Sequence, residues 1–125
     1  MRAFISGHLD LTKEEFDEHY VPQIDDLLND KVPYFVIGDA RGADTMAQKY
    51  IAEKGFANTV HVYHMFDSPR FCVEGAEIGG YGFISDERRD IAMTENSDYD
   101  IAWVRPGREK SGTQRNLNRR LNLPK

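Results

Sequence analysis

The sequence has few of the features that mark secreted, membrane-spanning or metal-stabilised proteins. It contains a single cysteine, Cys72, so no disulfide can form within the chain, which is typical of a reducing compartment. It has no run of 18 apolar residues, and its first residues lack the apolar segment of a signal peptide. Four histidines at unrelated spacings form no zinc-binding pattern. We therefore expect a cytoplasmic protein with no membrane association, no metal site and no cofactor.

The length and composition fit one globular domain spanning residues 1–125. Apolar residues make up 40% of the chain and charged residues 30%, which excludes a disordered chain. The net charge of −5 is unevenly spread, because residues 105–125 contain seven basic residues and one acid, Glu109. The acidic remainder makes nucleic acid an unlikely partner. The basic segment could hold a phosphate or could simply be a solvated helix face.

Short apolar runs alternate with helical patterns along the chain. The runs predict four buried parallel strands, at residues 2–6, 34–38, 59–63 and 99–104. Capping patterns and apolar spacing predict helices that begin at Thr12 with a restart near Pro22, at Ala43, at Ser85, and at Ser111 in a second capping box. Alternation of this kind predicts an α/β three-layer sandwich with a mostly parallel central sheet in the order 3-2-1-4. A ligand would bind beyond the carboxyl ends of the strands, between the first and the last, where the winding reverses.

Residues 64–84 form the one long stretch without a clear pattern, and it is rich in glycine and aromatic residues. A loop of this length in a small domain usually serves as a lid or binding loop. A ligand-covering role, an oligomer contact and simple surface packing all remain open.

Two strand-to-helix turns have the composition of phosphate-binding loops. Gly38–Asp44 turns on two glycines and carries Arg41, and 105–113 combines several cations with two hydroxyls at a helix start. Free N–H groups at a helix start favour anions, and an arginine adds a charge-assisted donor. The alternative is that Gly42 only starts the helix and Arg41 pairs with a neighbouring aspartate. Neither turn is a P-loop, because the Gly-Lys-Ser/Thr ending is missing.

The segment Gly38–Asp44 followed by Ala47 resembles the Gly-Gly-Ala-Arg-Gly-Ala-Asp stretch of the SLOG superfamily, in particular its small stand-alone members. The resemblance extends to further short segments along most of the chain, namely Ser6-Gly7, Arg88, Arg89, Met93, Asp98–Ala102, Pro106-Gly107 and Ser111–Thr113. It implies a Rossmann-like fold that binds a nucleotide or a nucleotide-derived ligand, similar to the domain of the DNA-processing protein of transformation and to the lonely-guy phosphoribohydrolases. A homo-oligomer is also expected from it.

One departure from that family bears on the reaction. Lonely-guy enzymes carry a glutamate three residues after the loop threonine, and here Asn116 takes that position. An amide cannot supply the negative charge that an oxocarbenium-like sugar centre needs. The sequence therefore favours a module that senses or sequesters a nucleotide-like small molecule. The alternative is a nucleotide or nucleoside N-glycosidase, with Glu77 and Glu74 of the long loop, or Asp86 and Glu87 at the next helix start, as candidate catalytic acids.

The residues expected to bind the ligand come from three loops and one helix. They are Ser6, Gly7, His8, Gly38, Asp39, Ala40, Arg41, Gly42, Asp44, Arg88, Arg105, Pro106, Gly107, Ser111, Gly112 and Thr113.

Overall fold

A computed structural model describes residues 1–79 and 82–123 of the chain. Gly80 and Tyr81 of the long loop, and Lys125 of the basic segment, lie outside the described residues. Within those residues, no helix is long and apolar enough to cross a membrane.

The described chain alternates strands and helices. In chain order the elements are β1 (Arg2–Ile5), α1 (Lys13–His19), α2 (Val21–Leu28), β2 (Tyr34–Gly38), α3 (Ala43–Glu53), a short 3-10 turn (Ala57–Thr59), β3 (Val60–Tyr63), β4 (Glu77–Ile78), α4 (Asp86–Glu95), β5 (Tyr99–Ile101) and α5 (Gly112–Leu121).

The five strands form one sheet in the order β4-β3-β2-β1-β5, and every neighbouring pair is parallel. The predicted 3-2-1-4 order is confirmed for the four main strands, and the short β4 adds a fifth beside β3. The winding reverses between β1 and β5, as predicted. This is an α/β, Rossmann-like fold.

Helices cover both faces of the sheet. Successive strand residues point to opposite sides, and the strands carry apolar residues on both, so each face packs against helices. On one face, Ala3 and Ile5 of β1 and neighbouring strand residues pack in a single fully buried cluster with residues of α1, α2 and α3. On the other face, Phe4, Val36 and Tyr63 pack against Met93 of α4. The three-layer arrangement brings α4 and α5 to the same side of the sheet.

Most helix starts follow the predicted capping residues. The Thr12 capping box forms completely, with the Thr12 hydroxyl accepting from the Glu15 N–H and Glu15 accepting from the Thr12 N–H. The expected restart at Pro22 is confirmed, since Pro22 lies in the first turn of a separate helix, α2. At Ser111 the prediction is only half right. The serine hydroxyl accepts from the Gln114 N–H, but the Gln114 side chain donates forward to Asn118.

The last predicted strand and the long loop both differ from the prediction, and β1 and β3 are each one residue shorter than predicted. The last strand ends at Ile101 rather than at Val104, because the N–H groups of Trp103 and Arg105 donate to side chains instead of to β1. The long loop is not wholly irregular, since it contains β4 and a parallel bridge between Met65 and Phe83.

The hydroxyl of Tyr20 joins β1 and β5 where the two strands separate. It donates to the Ser6 carbonyl at 2.8 Å and accepts from the Trp103 N–H at 3.1 Å. The Tyr20 side chain is fully buried. A Cβ on Gly7 would clash with the Tyr20 hydroxyl, since it would stand only 2.3 Å from that oxygen. Gly7 therefore makes room for a side chain that closes the sheet beneath the loops.

Replacing Tyr20 with phenylalanine should lower the free energy of unfolding by about 1–3 kcal/mol, because it leaves the buried Ser6 carbonyl and the partly buried Trp103 N–H without a partner. Urea denaturation measures the change. Tyr34→Phe is the matched control, since the Tyr34 hydroxyl has no hydrogen-bond partner among residues 1–79 and 82–123. Equal costs for the two substitutions would contradict the role assigned to Tyr20.

Candidate functional site

A cleft of about 730 Å³ opens beyond the carboxyl ends of β1 and β2, between the first turn of α4 and the start of α5. This is the edge at which ligands bind in open parallel sheets, and the volume is in the range of small-molecule sites. The loop after β1, residues 107–112 and the first turns of three helices form its walls.

The structure brings together nine of the sixteen residues expected to bind the ligand. The residues that line the cleft are Ser6, Gly7, His8, Ala40, Asp44, Gly107, Ser111, Gly112 and Thr113. The others lie outside its lining, namely Gly38, Asp39, Arg41, Gly42, Arg88, Arg105 and Pro106. The candidate acids Glu74 and Glu77 are exposed and do not line the cleft either, since Glu77 lies in the edge strand β4.

One wall of the cleft is the N-terminus of α5, and it is positively charged. The N–H groups of Gly112 and Thr113 have no acceptor within the described part of the chain, whereas the Gln114 N–H is capped by Ser111. A helix start of this kind attracts anions. Three cationic side chains also line the cleft around it, those of Arg108, Lys110 and Arg115.

The opposite wall carries a buried carboxyl, that of Asp44 in the first turn of α3. Its Oδ2 accepts from the Ala40 N–H at 3.1 Å. Gly38 makes room for this carboxyl, since a Cβ there would stand 2.6 Å from Asp44 Oδ2. Burial raises the pKa of Asp44 to about 7, although the Ala40 hydrogen bond and the nearby Arg89 act to lower it. Asp44 is therefore partly protonated near neutral pH.

A buried arginine of α4 organises the acids beside Asp44. Arg89 forms ion pairs with Asp39 at 2.9 Å, with Asp86 at 3.2 Å and with Asp90 at 3.3 Å. Burial raises the pKa of Asp90, and Asp90 in turn raises the pKa of Asp44. This wall is therefore acidic, while the α5 wall is basic.

Asp39 anchors the long loop instead of facing the cleft. Its carboxylate accepts hydrogen bonds from the backbone N–H, Nε and Nη2 of Arg70, and another from Arg89. The side chain is 1% exposed, and its hydrogen bonds from the two arginines leave little capacity for a ligand. Asp39 instead brings Arg70 of the loop into the cleft lining, which agrees with a ligand-covering role for that loop.

His8 is held as a neutral imidazole. Its Nε2 accepts from the Arg105 N–H at 2.9 Å, so the remaining proton lies on Nδ1. Burial and the nearby cations Arg108 and Arg105 lower the pKa of His8, which favours the same neutral form. Next to it in the loop, the Oγ of Ser6 is buried and has no hydrogen-bond partner among the described residues.

The expectation of a phosphate site at the start of α3 is not supported by the geometry. Gly42 has a φ of 78°, and a Cβ on it would stand 2.4 Å from the His8 carbonyl oxygen. The N–H of Ala43 donates to that same carbonyl. The helix start therefore packs on the loop after β1, and Arg41 points away from the cleft lining as an exposed side chain.

Arg105 also has a structural role where a ligand contact was expected. Its guanidinium binds both carboxylate oxygens of Glu15, at 2.6 and 2.8 Å, and lies 3.2 Å from Asp10. The hydrogen bond from Arg105 lowers the pKa of Glu15 to about 2. These contacts fasten residues 105–108 to α1 and so position the loop that leads into α5.

Sequence reasoning left several cleft residues out of the expected site. They are Arg70, Arg89, Asp90, Arg108, Lys110, Arg115 and Asn116. Of the candidate acids at the start of α4, Asp86 lines the cleft and Glu87 does not. The spacing of Arg89 and Asp90 from Asp86 places all three on one face of α4, and this signal could have identified the other two. The position of Arg70 in the cleft lining depends on its hydrogen bonds to Asp39, which is 31 residues away. No local sequence pattern reveals such a contact.

No protein-family model, curated protein or solved structure matches this chain. The function is therefore inferred from the cleft itself.

Replacing Asp44 with asparagine should stabilise the protein at neutral and alkaline pH. The folded-state pKa of about 7 lies above the ordinary value of 3.8, so the wild type loses stability as the pH rises from about 4 to 7 and then stays level. The gain for Asp44→Asn should follow the same profile and reach a few kcal/mol at pH 8, at about 1.4 kcal/mol per pKa unit.

Urea denaturation of both proteins at pH 4, 6 and 8 measures this difference. The charges that face Asp44 are Arg89, Asp39 and Asp90, and their effect on Asp44 is already part of its pKa of about 7. The titration of these three groups themselves occurs in both proteins, so it largely cancels in the difference. Glu77→Gln is the control for an exposed acid and should show no such trend. A constant difference between wild type and Asp44→Asn across the pH range would contradict the buried state of Asp44.

Proposed function

We propose that the cleft binds a phosphorylated, nucleotide-like small molecule, with its phosphate at the N-terminus of α5. The observation that carries this proposal is the free N–H pair of Gly112 and Thr113, which opens into the cleft beside Arg108, Lys110 and Arg115. The same segment belongs to the resemblance with the SLOG superfamily, which remains a prediction. Binding without reaction would make the protein a sensor or a sink for its ligand.

The shape and polarity of the cleft support a ligand larger than phosphate. The acidic wall around Asp44 and Asp90 suits hydrogen-bond donors, and Phe4, Leu9 and Met93 contribute apolar surface. A molecule with an anionic end, a polar middle and a flat or apolar end matches this set. A phosphorylated nucleoside has all three.

Hydrolysis of the N-glycosidic bond of such a ligand is a second candidate function. The observation that favours it is the pair of carboxyls with raised pKa values, Asp44 and Asp90, in the same cleft. A carboxyl that is protonated near neutral pH can give its proton to a departing base. The exposed positions of Glu74 and Glu77 give those residues no comparable support.

The experiment is incubation of the purified protein with nucleoside mono- and diphosphates, cyclic nucleotides and ADP-ribose. Mass spectrometry of the solution and of the denatured protein follows. Intact ligand recovered with the protein supports binding, and its mass names the class. Free base in solution establishes the glycosidase. Absence of both outcomes overturns the proposal.

Replacing Arg108 with alanine should weaken binding of a retained nucleotide by about tenfold to a hundredfold, since a hydrogen bond to a charged group contributes about 1.5–3 kcal/mol. Isothermal titration calorimetry measures the affinity. Arg41→Ala is the matched control, because it removes the same charge outside the cleft lining. If Arg41→Ala weakened binding as much as Arg108→Ala, the phosphate would belong at the start of α3 instead.

A further inference from the structure

Three polar side chains in the cleft lack a partner for one of their atoms. Ser6, His8 and Asp44 line the cleft and are 7%, 3% and 9% exposed. In the described part of the chain, no group hydrogen-bonds to Ser6 Oγ, His8 Nδ1 or Asp44 Oδ1. Of the three atoms, Ser6 Oγ is fully buried, and an unsatisfied buried polar group costs about 1–3 kcal/mol.

Other contacts of the same residues fix what each free atom can do. Because His8 Nε2 already accepts from the Arg105 N–H, Nδ1 is a donor. Because Asp44 Oδ2 already accepts from the Ala40 N–H, Oδ1 is the oxygen left for a ligand. The backbone N–H and carbonyl of Ser6 are already paired with Ile101 and Tyr20. The Ser6 hydroxyl, which can both donate and accept, is therefore the group left for a ligand.

The three residues are neighbours at the ends of adjacent strands. Ile5 pairs with Ile37 in the parallel register, so Ser6 and Gly38 follow side by side, and the Asp44 carboxyl lies against Gly38. The His8 carbonyl accepts from the Ala43 N–H, which holds the loop after β1 against the first turn of α3. When Asp44 is ionised, a donor, an acceptor and a group that does both are thus collected at one place.

We infer that Ser6, His8 and Asp44 form a subsite for the sugar hydroxyls of the ligand. A hydroxyl donates and accepts at once, so neighbouring hydroxyls of a ribosyl group can satisfy all three side chains together. This inference rests on the proposed function, because the sugar is the part of the ligand next to a phosphate held at α5. It assigns Asp44 as the residue that distinguishes ribosyl from deoxyribosyl ligands.

Asp44→Asn tests the assignment with little change in shape. The Ala40 N–H must still donate to the side-chain oxygen, so the amide NH₂ takes the place of Oδ1 and an acceptor becomes a donor. Glu77→Gln is the matched control, because it makes the same carboxyl-to-amide change on an exposed strand outside the cleft lining.

The probes are the four common ribonucleoside 5′-monophosphates, their 2′,3′-dideoxy counterparts and inorganic phosphate, each titrated by calorimetry. Wild type and Glu77→Gln should bind the preferred ribonucleotide roughly tenfold or more tightly than its dideoxy form. In Asp44→Asn this ratio should fall towards one while the affinity for inorganic phosphate stays unchanged. Ser6→Ala removes a hydroxyl without a protein partner, so it provides a second variant expected to fold and to lower the same ratio.

The outcomes separate the two proposals. An unchanged ribo-to-dideoxy ratio in Asp44→Asn and Ser6→Ala overturns the sugar subsite. An equal loss of phosphate and nucleotide affinity in Asp44→Asn also overturns it, because that pattern shows a general structural defect. Binding of phosphate without any gain from a ribonucleotide overturns the subsite but leaves the phosphate site at α5. Failure of phosphate and all nucleotides to bind overturns the proposed function as well.

Discussion

The site depends on a buried hydroxyl that holds two separating strands together. Beyond Ser6 and Ile101, β1 and β5 no longer pair, and the Tyr20 hydroxyl bridges the Ser6 carbonyl and the Trp103 N–H in place of the missing ladder. The strands can therefore diverge into a cleft without leaving these backbone groups unpaired in the interior, which would be costly. Tyr20 lies at the junction of α1 and α2, so the first two helices position the floor of the cleft.

Ion pairs over long sequence separations then fix the walls of the cleft. Asp39 joins Arg70 of the long loop to Arg89 of α4, and Glu15 of α1 holds Arg105 ahead of α5. The pair of Asp39 and Arg89 is almost fully buried, and such pairs contribute mainly when their remaining hydrogen bonds are satisfied, as they are for Asp39. Of these residues, Asp39 and Arg105 were expected to contact the ligand, because they lie in the two glycine-containing turns. Their side chains bind other residues of the protein and orient segments that line the cleft.

The sequence predicts the fold well and the site only in part. Strands and helix starts follow from apolar runs and from capping residues such as Thr12 and Ser85, which act locally. The two-residue β4 was missed because its pairing with β3 depends on a tertiary contact rather than on an apolar run. The start of α3 looked like a phosphate site, but its N–H and Gly42 meet the loop after β1, which is distant in sequence. Local composition therefore located the edge of the sheet where the cleft opens, whereas several residues that it named bind other parts of the protein and do not line that cleft.

The cost of the cleft to stability is what connects its structure to a function. A carboxyl whose pKa is raised to about 7 by burial makes the folded state less stable at neutral pH, and an unpaired serine hydroxyl beside it adds to that cost. The neighbouring strand also accommodates the Asp44 carboxyl, because residue 38 is a glycine and any Cβ there would stand 2.6 Å from Asp44 Oδ2. Groups that oppose folding are expected at functional sites, and Asp44 and Ser6 both lie at the edge where a parallel sheet binds its ligands. A ligand that satisfies these groups would bind preferentially to the folded chain and return the stability that the empty cleft lacks.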